Sequence, residues 1–158
     1  MRRFTLTIIL LQLFFGLAYS QTGVFISSER FSSALINDMC QDKYGYMWIA
    51  TDYGLNRYDG YHFKTYFHQN GDSTSLGSNI VTSLYQDSQG RFWVGTRTGL
   101  YRYDYTSDTF TGYHFGEKNE PRITAILQRQ NKELLIGTSG RGLYAITDED
   151  KAVKIAGG

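Results

Sequence analysis

The chain has 158 residues, with 16 Lys and Arg against 15 Asp and Glu, 41% hydrophobic residues, 17 Gly and one Pro. That balance excludes a disordered or collagen-like chain, and it excludes a protein basic enough to grip nucleic acid through its phosphates. Aromatic residues reach 16%, mostly 13 Tyr and 10 Phe, a bias that suits half-buried pleated strands better than helices.

The N-terminus places Arg2 and Arg3 before the apolar stretch Phe4 to Leu17, and then Ala18-Tyr19-Ser20, with small residues three and one before Gln21. These are the three regions of a secretory signal, which assigns residues 1–20 to export. The apolar stretch includes Thr5, Thr7 and Gln12 and falls short of the roughly 20 apolar residues that a membrane span needs. The segment holds two Arg and no acid, so its removal takes the formal charge from +1 to −1. Residues 21–35 read as a linker with a lone strand at Val24-Phe25-Ile26-Ser27. An exported chain meets an oxidising compartment, yet Cys40 is the one cysteine. Between Met39 and Gln41 in an apolar run, Cys40 reads as a small core residue.

From Ile36 the chain writes one unit three times. The copies are "INDMCQDKYGYMWIATDYGLNRYDGYHFKTY", "VTSLYQDSQGRFWVGTRTGLYRYDYTSDTFTGY" and "ITAILQRQNKELLIGTSGRGLYAITDEDKAVKI". Their first residues, Ile36, Val81 and Ile123, are 45 and 42 residues apart. Each copy breaks at turn signals into four short runs, as four antiparallel strands would. The first run ends at Asp42-Lys43-Tyr44-Gly45 or Asp87-Ser88-Gln89-Gly90, where Asp can bond its own backbone and Gly can take positive φ. Copy three has Arg129 and Lys132 at those places and is expected to form a weaker turn. The second run carries Trp48 or Trp93, and Gly54, Gly99 or Gly142 turns the chain into the third.

Four-stranded units of this length with periodic Gly and Trp are the pattern of β-propeller blades, whose sheets pack face to face. The expected fold is all-β: a partial propeller of three blades, about 36–68, 81–115 and 123–156, after the leading strand. Burial on both faces accounts for the weak polar alternation, and for small Ala50, Gly95 and Gly137 where one sheet presses on the next. Trp48 and Trp93 read as core, with a ligand platform as the alternative. A closed ring needs at least about four blades. The sequence therefore reads as the N-terminal portion of a longer protein, with exposed sheet edges at both ends.

The blocks "QDKYGYMWIATDYGLNRYDG" (41–60) and "QDSQGRFWVGTRTGLYRYD" (86–104) resemble the two-component regulator propeller repeats of hybrid sensor histidine kinases. The resemblance runs from about Phe25 to Leu143; copy three departs at Arg129, Lys132, Leu135, Ala145 and Thr147. It implies a periplasmic sensor region of a receptor anchored in the inner membrane, an oligosaccharide signal, a dimeric arrangement and transcriptional control of glycan use. It implies as partners the remaining blades and the downstream sensor domains. This chain has no second apolar span, phosphoacceptor-His motif or glycine-rich ATP lid, so neither phosphotransfer nor DNA contact is expected of it.

Little in the sequence points to catalysis. His62, His68 and His114 do not recur between copies, and no metal-ligand spacing exists, so no metal or cofactor is expected. Asp148-Glu149-Asp150 reads as a solvated loop. Binding fits better, because the second-to-third-strand turns keep their Thr and Gly frame while their contents change. Those contents, Asp52, Tyr53, Arg97, Thr98 and Arg141, are the candidate ligand-binding residues, since Arg donors and a Tyr ring suit a sugar. They should share one face with the connections 68–79 and 116–122. Two other functions fit the same pattern: a secreted lectin-like propeller, and a propeller lyase, which would need a His or carboxylate cluster at the ring centre.

Overall fold

A computed structural model describes residues 32–147 and 151–156. The signal segment, the strand expected at Val24 to Ser27 and the Asp148-Glu149-Asp150 loop lie outside the described residues. Among the described residues there is no helix, and twelve strands follow in chain order. β1 (Ile36–Gln41), β2 (Met47–Thr51), β3 (Gly54–Tyr58) and β4 (Phe63–Tyr66) form the first sheet. β5 (Val81–Gln86), β6 (Phe92–Thr96), β7 (Gly99–Asp104) and β8 (Thr109–Tyr113) form the second. β9 (Ile123–Gln128), β10 (Leu134–Thr138), β11 (Gly142–Ile146) and β12 (Ala152–Ala156) form the third. Each sheet is an antiparallel meander with its strands in sequence order, and β1, β5 and β9 run side by side where the sheets meet.

The register repeats with the sequence. Trp48 stands between Cys40 and Arg57, Trp93 between Tyr85 and Arg102, and Leu135 between Leu127 and Ala145. A bulge falls at the same place in each first strand, at Asn37, Thr82 and Thr124. The extra residue leaves the ladder and re-aims its side chain. Asn37 Nδ2 donates to the Val81 carbonyl at 2.7 Å, and Thr82 Oγ1 donates to the Ile123 carbonyl at 2.7 Å. The first two bulges thus tie their blades to the first strand of the next.

Two apolar layers fill the junctions. Trp48, Ala50 and Leu55 of the first sheet pack on Val81, Phe92, Val94 and Tyr103 of the second. Trp93, Leu100 and Tyr113 of the second pack on Ile123, Leu134, Ile136 and Tyr144 of the third. Both indoles are fully buried, at 0% exposure, which makes them core and removes the ligand-platform alternative. The Trp48 ring lies 4.8 Å from Phe92 and 4.8 Å from Tyr103, the second contact edge-on. Full burial contributes about 1.5–3 kcal/mol for each large apolar side chain, so these layers hold the stack together. Cys40 is half-buried against the first layer, and burial raises its thiol pKa.

The small residues divide. A Cβ added at Gly95 would fall 2.7 Å from Ile123 Cγ2, so the next blade does press there. At Gly137 the nearest atoms belong to Thr124 and Ala125 of its own sheet, and no neighbouring blade meets it among the described residues. The three sheets do not close a ring, and Ile36, Met39 and Leu127 of the outer two blades stay exposed.

Candidate functional site

The turns between second and third strands are built by the repeated Thr. Thr51 Oγ1 donates to the Gly54 carbonyl at 2.7 Å, Thr96 Oγ1 to Gly99 at 3.1 Å and Thr138 Oγ1 to Gly142 at 2.6 Å. Thr51 and Thr96 also accept the amides of Tyr53 and Thr98, each at 3.1 Å. Each turn then bonds the chain entering its own blade, through Asp52 N–H to Leu35, Arg97 N–H to Ile80 and Ser139 N–H to Arg122. The turns and the blade-to-blade connections therefore lie on one face, as the sequence leads one to expect.

On that face Asp52, Tyr53, Arg97 and Thr98 are exposed. Asp52 Oδ1 accepts Asn37 Nδ2 at 2.8 Å, and the Tyr53 ring meets Phe67 edge-on at 5.5 Å. The Thr98 carbonyl accepts the Tyr101 hydroxyl at 3.3 Å. Arg141 is engaged by its own connection: Nη1 donates to the Asn119 carbonyl at 2.5 Å and lies 3.4 Å from Glu117 Oε2. No described hydrogen bond or ion pair joins any two of these five residues. His68 and His114 also serve the connections, His68 Nδ1 at 2.7 Å from the Leu76 carbonyl and His114 Nδ1 at 2.9 Å from Glu120 Oε1. Among the described residues no three His, Cys, Asp or Glu come together as metal ligands would.

At the other end of the strands, the Asp that opens the repeat has a double role. Asp42 Oδ1 accepts the amides of Tyr44 and Tyr46, while Oδ2 accepts the Trp48 indole N–H at 2.7 Å. Asp87 does the same for Gln89, Arg91 and Trp93, the last at 2.9 Å. Burial opposes ionisation of Asp87, but the bonds from Trp93 and Arg91 outweigh it and hold its carboxyl below the usual range. Copy three has Arg129 and Leu135 at these two positions, so donor and acceptor are replaced together. Its turn nonetheless closes with the same two backbone bonds, Arg129 N–H to Glu133 and Lys132 N–H to Arg129, both at 2.9 Å.

A polar cluster between the first two blades went unread in the sequence. Asp108 Oδ1 accepts the hydroxyls of Tyr66, at 2.6 Å, and Tyr103, and its Oδ2 pairs with Lys64. Arg57 Nη1 donates to Tyr103 Oη at 2.6 Å and lies 3.5 Å from Asp108. Burial alone would raise the Asp108 carboxyl, but the bonds from Lys64, Tyr103 and Tyr66 prevail and hold it at about 2. Burial, then the bond to Asp108, pushes the Tyr103 hydroxyl up to about 12. Aligned on Phe63 and Phe110, the turn after Asp104 is longer than the one after Asp59, and that longer turn carries Asp108. The cluster faces a cleft of about 240 Å³ and fastens one blade to the next.

Three repeated four-stranded sheets, stacked face to face with matched registers and first strands adjoining, are consecutive blades of a β-propeller. Within it, residues 30–53 and 75–98 match the family described as two component regulator propeller, so the chain carries repeats of that family. Over 82% of its length it superposes, with a TM-score of 0.72 and 26% identity, on 19% of the extracellular domain assigned to the hybrid two component system BT3049 from B. thetaiotaomicron. A similar domain, assigned to BT4673 of the same organism, shares the fold at a TM-score of 0.62 and 22% identity, over 74% of this chain and 16% of that one. In sequence, 52 residues are 40% identical to Histidine kinase P4 of Formosa agariphila, covering 33% of this chain and 4% of that protein. The chain thus spans a small part of the length of the relatives it matches, and it is a propeller of the type found in extracellular domains of hybrid two-component sensors. Among the described residues no helix is long and apolar enough to cross a membrane.

Proposed function

We propose that the chain is the N-terminal part of an exported, ligand-sensing propeller. It recognises an oligosaccharide outside the cytoplasm and passes the signal to a kinase and transcriptional output in other domains. The reading is carried by the likeness to the BT3049 extracellular domain, which extends over most of this chain. The residues 1–20 that read as a secretory signal support export into the periplasm, and the family resemblance supports inner-membrane tethering and a dimeric receptor. The connection face supports recognition: its frame of Thr and Gly is fixed by hydrogen bonds, while Asp52, Tyr53, Arg97 and Thr98 project from it into solvent. Rigid elements carrying variable polar side chains are where binding residues concentrate.

The test is a glycan array followed by thermal unfolding with each hit. A specific oligosaccharide should raise Tm progressively with the logarithm of its concentration above Kd, and Arg97→Ala with Tyr53→Ala should abolish the rise without lowering Tm in the absence of ligand. Absence of any response across neutral and acidic glycans would overturn the sensing role.

A further inference from the structure

The connection 68–79 is a strap on the second blade, and its tip carries the one Asn-Gly pair in the sequence. Past the tip the strap is anchored: Leu76 is fully buried in the first apolar layer, and the Thr74 carbonyl accepts the Phe110 amide at 2.8 Å. That bond lies outside the β7–β8 ladder, on the free edge of the last strand of the second sheet. The strap thus covers part of an edge whose backbone groups would otherwise be unpaired. Asp72 keeps the strap in shape. Its amide donates to the Gln69 carbonyl and its carbonyl accepts the Ser75 amide, both at 3.2 Å, while Oδ1 accepts the Thr74 amide at 2.8 Å and the Thr74 hydroxyl at 2.6 Å.

Asn70 and Gly71 are the two central residues of the turn that the Asp72-to-Gln69 bond closes. Gly71 has a φ of 81°, the conformation that a type II turn requires of glycine. Both residues are exposed, a Cβ added at Gly71 would meet nothing within 4 Å, and the Gly71 amide donates to no described residue. The Asn70 side chain has one partner, His68 Nε2 at 3.0 Å from Oδ1, on the same exposed loop. One solvent-exposed hydrogen bond restrains a side chain little. The side-chain carbonyl carbon of Asn70 and the next main-chain nitrogen are therefore free to approach each other, with no side chain on Gly71 to crowd them.

Comparable positions lack this freedom. Asp59-Gly60 is another exposed turn, with φ 99° at its glycine, but Asp59 Oδ1 accepts the amides of His62 at 2.6 Å and Tyr61 at 2.7 Å. Those bonds hold the Asp59 carboxyl below its usual range, and a carboxylate is a poor electrophile. Asn37, Asn56, Asn79, Asn119 and Asn131 each precede a residue whose side chain hinders the following nitrogen.

We propose that Asn70 is a site of spontaneous modification, where the chain converts its own asparagine to isoaspartate and aspartate and so loosens the strap on β8. The Gly71 nitrogen attacks Asn70 Cγ. As the N–Cγ bond forms, the Cγ–Nδ2 bond breaks and Nδ2 leaves as ammonia with the proton from the Gly71 amide. Water then opens the resulting succinimide. Addition at Cγ breaks the new bond and leaves aspartate; addition at the main-chain carbonyl carbon breaks the Asn70-Gly71 peptide bond and leaves isoaspartate, whose main chain runs through Cβ and Cγ. Water is the sole co-reactant, and nothing is oxidised or reduced. Isoaspartate adds a carbon to the main chain inside the turn that Asp72 closes, and either product sets a new carboxylate two residues from Asp72. Asparagine is a thermolabile residue in general; here the turn leaves one of them unprotected. The inference is independent of the sensing role.

The test is incubation of the folded chain at mildly alkaline pH and physiological temperature, beside the same chain unfolded in guanidinium chloride. Mass spectrometry, peptide mapping and labelling by isoaspartate methyltransferase follow both. The folded chain should gain about 1 Da, all of it in the peptide that holds Asn70. Its rate should lie within about tenfold of the unfolded chain's, since the turn leaves the approach open. Isoaspartate label should appear at position 70 and not at Asp59. In the modified fraction the Phe110 amide should exchange its hydrogen about tenfold faster or more, with the β6 amides unchanged. Asn70→Gln, which would have to close a larger ring, should show neither the mass gain nor the faster exchange. A folded rate more than about tenfold below the unfolded one, a mass gain centred on another asparagine, or unaltered Phe110 exchange in the modified fraction would overturn the proposal.

Discussion

Asp87 shows how much of the repeat is written for folding. Its fully buried carboxylate satisfies a hairpin and the indole N–H of Trp93, and it holds Arg91 Nε at 2.6 Å. Removing it strands a buried donor and a guanidinium together. Asp87→Ala should therefore cost about 2–3 kcal/mol in urea unfolding, whereas the same change at Arg129, an exposed residue paired on the surface, should cost well under about 1 kcal/mol. Equal losses at the two positions would contradict the role given to the carboxylate. The recurrence of Asp and Trp six residues apart was visible in the sequence. Their hydrogen bond was not, because spacing along a hairpin does not reveal which side chain curls back beneath the turn.

The blade itself was legible. Turn signals divided each copy into four runs, and all twelve runs are strands, since Gly and Asp at the corners leave the intervening residues little alternative to antiparallel pairing. The junctions between blades were less so. Gly95 and Gly137 occupy equivalent places, yet only the first meets a neighbouring blade among the described residues. Gly95→Ala should destabilise by about 1–3 kcal/mol through overpacking against Ile123. Gly137→Ala, which brings a Cβ no nearer than 3.3 Å to Thr124 Oγ1, should change stability by less than about 0.5 kcal/mol. Chemical denaturation of the two variants side by side checks this, and a Gly95→Ala protein as stable as its parent would refute the packing. The bulge residues Asn37 and Thr82 make the complementary point. Their side chains bond a carbonyl in the next blade, a contact between residues more than forty positions apart that no local pattern encodes.

For the molecule as a stack, the first junction is its electrostatic joint. Asp108 is ionised down to about 2, below its ordinary 3.8, because Lys64, Tyr103 and Tyr66 bond its charged form. A depressed carboxylate of this kind contributes stability that is complete above about pH 4 and is lost as pH falls towards 2. Acid titration followed by Trp48 fluorescence should show the junction loosening in that window, and Asp108→Asn should be less stable at neutral pH and flatter between pH 4 and 2. An identical acid profile in both proteins would place the loss elsewhere.

Composition, turn chemistry and a period of just over forty residues sufficed to specify strands, blades and the all-β class, because hydrogen bonding and pleat geometry act between near neighbours. They also singled out Asp52, Tyr53, Arg97, Thr98 and Arg141 as residues at the turns. What those side chains do depended on contacts made across the chain. Arg141 is tied down by Glu117 and Asn119, while Arg97 projects into solvent. The Asp108 cluster likewise exists because packing sets blades face to face and brings distant turns together, and burial in that arrangement, not order along the chain, fixes which charges are paired and which face solvent.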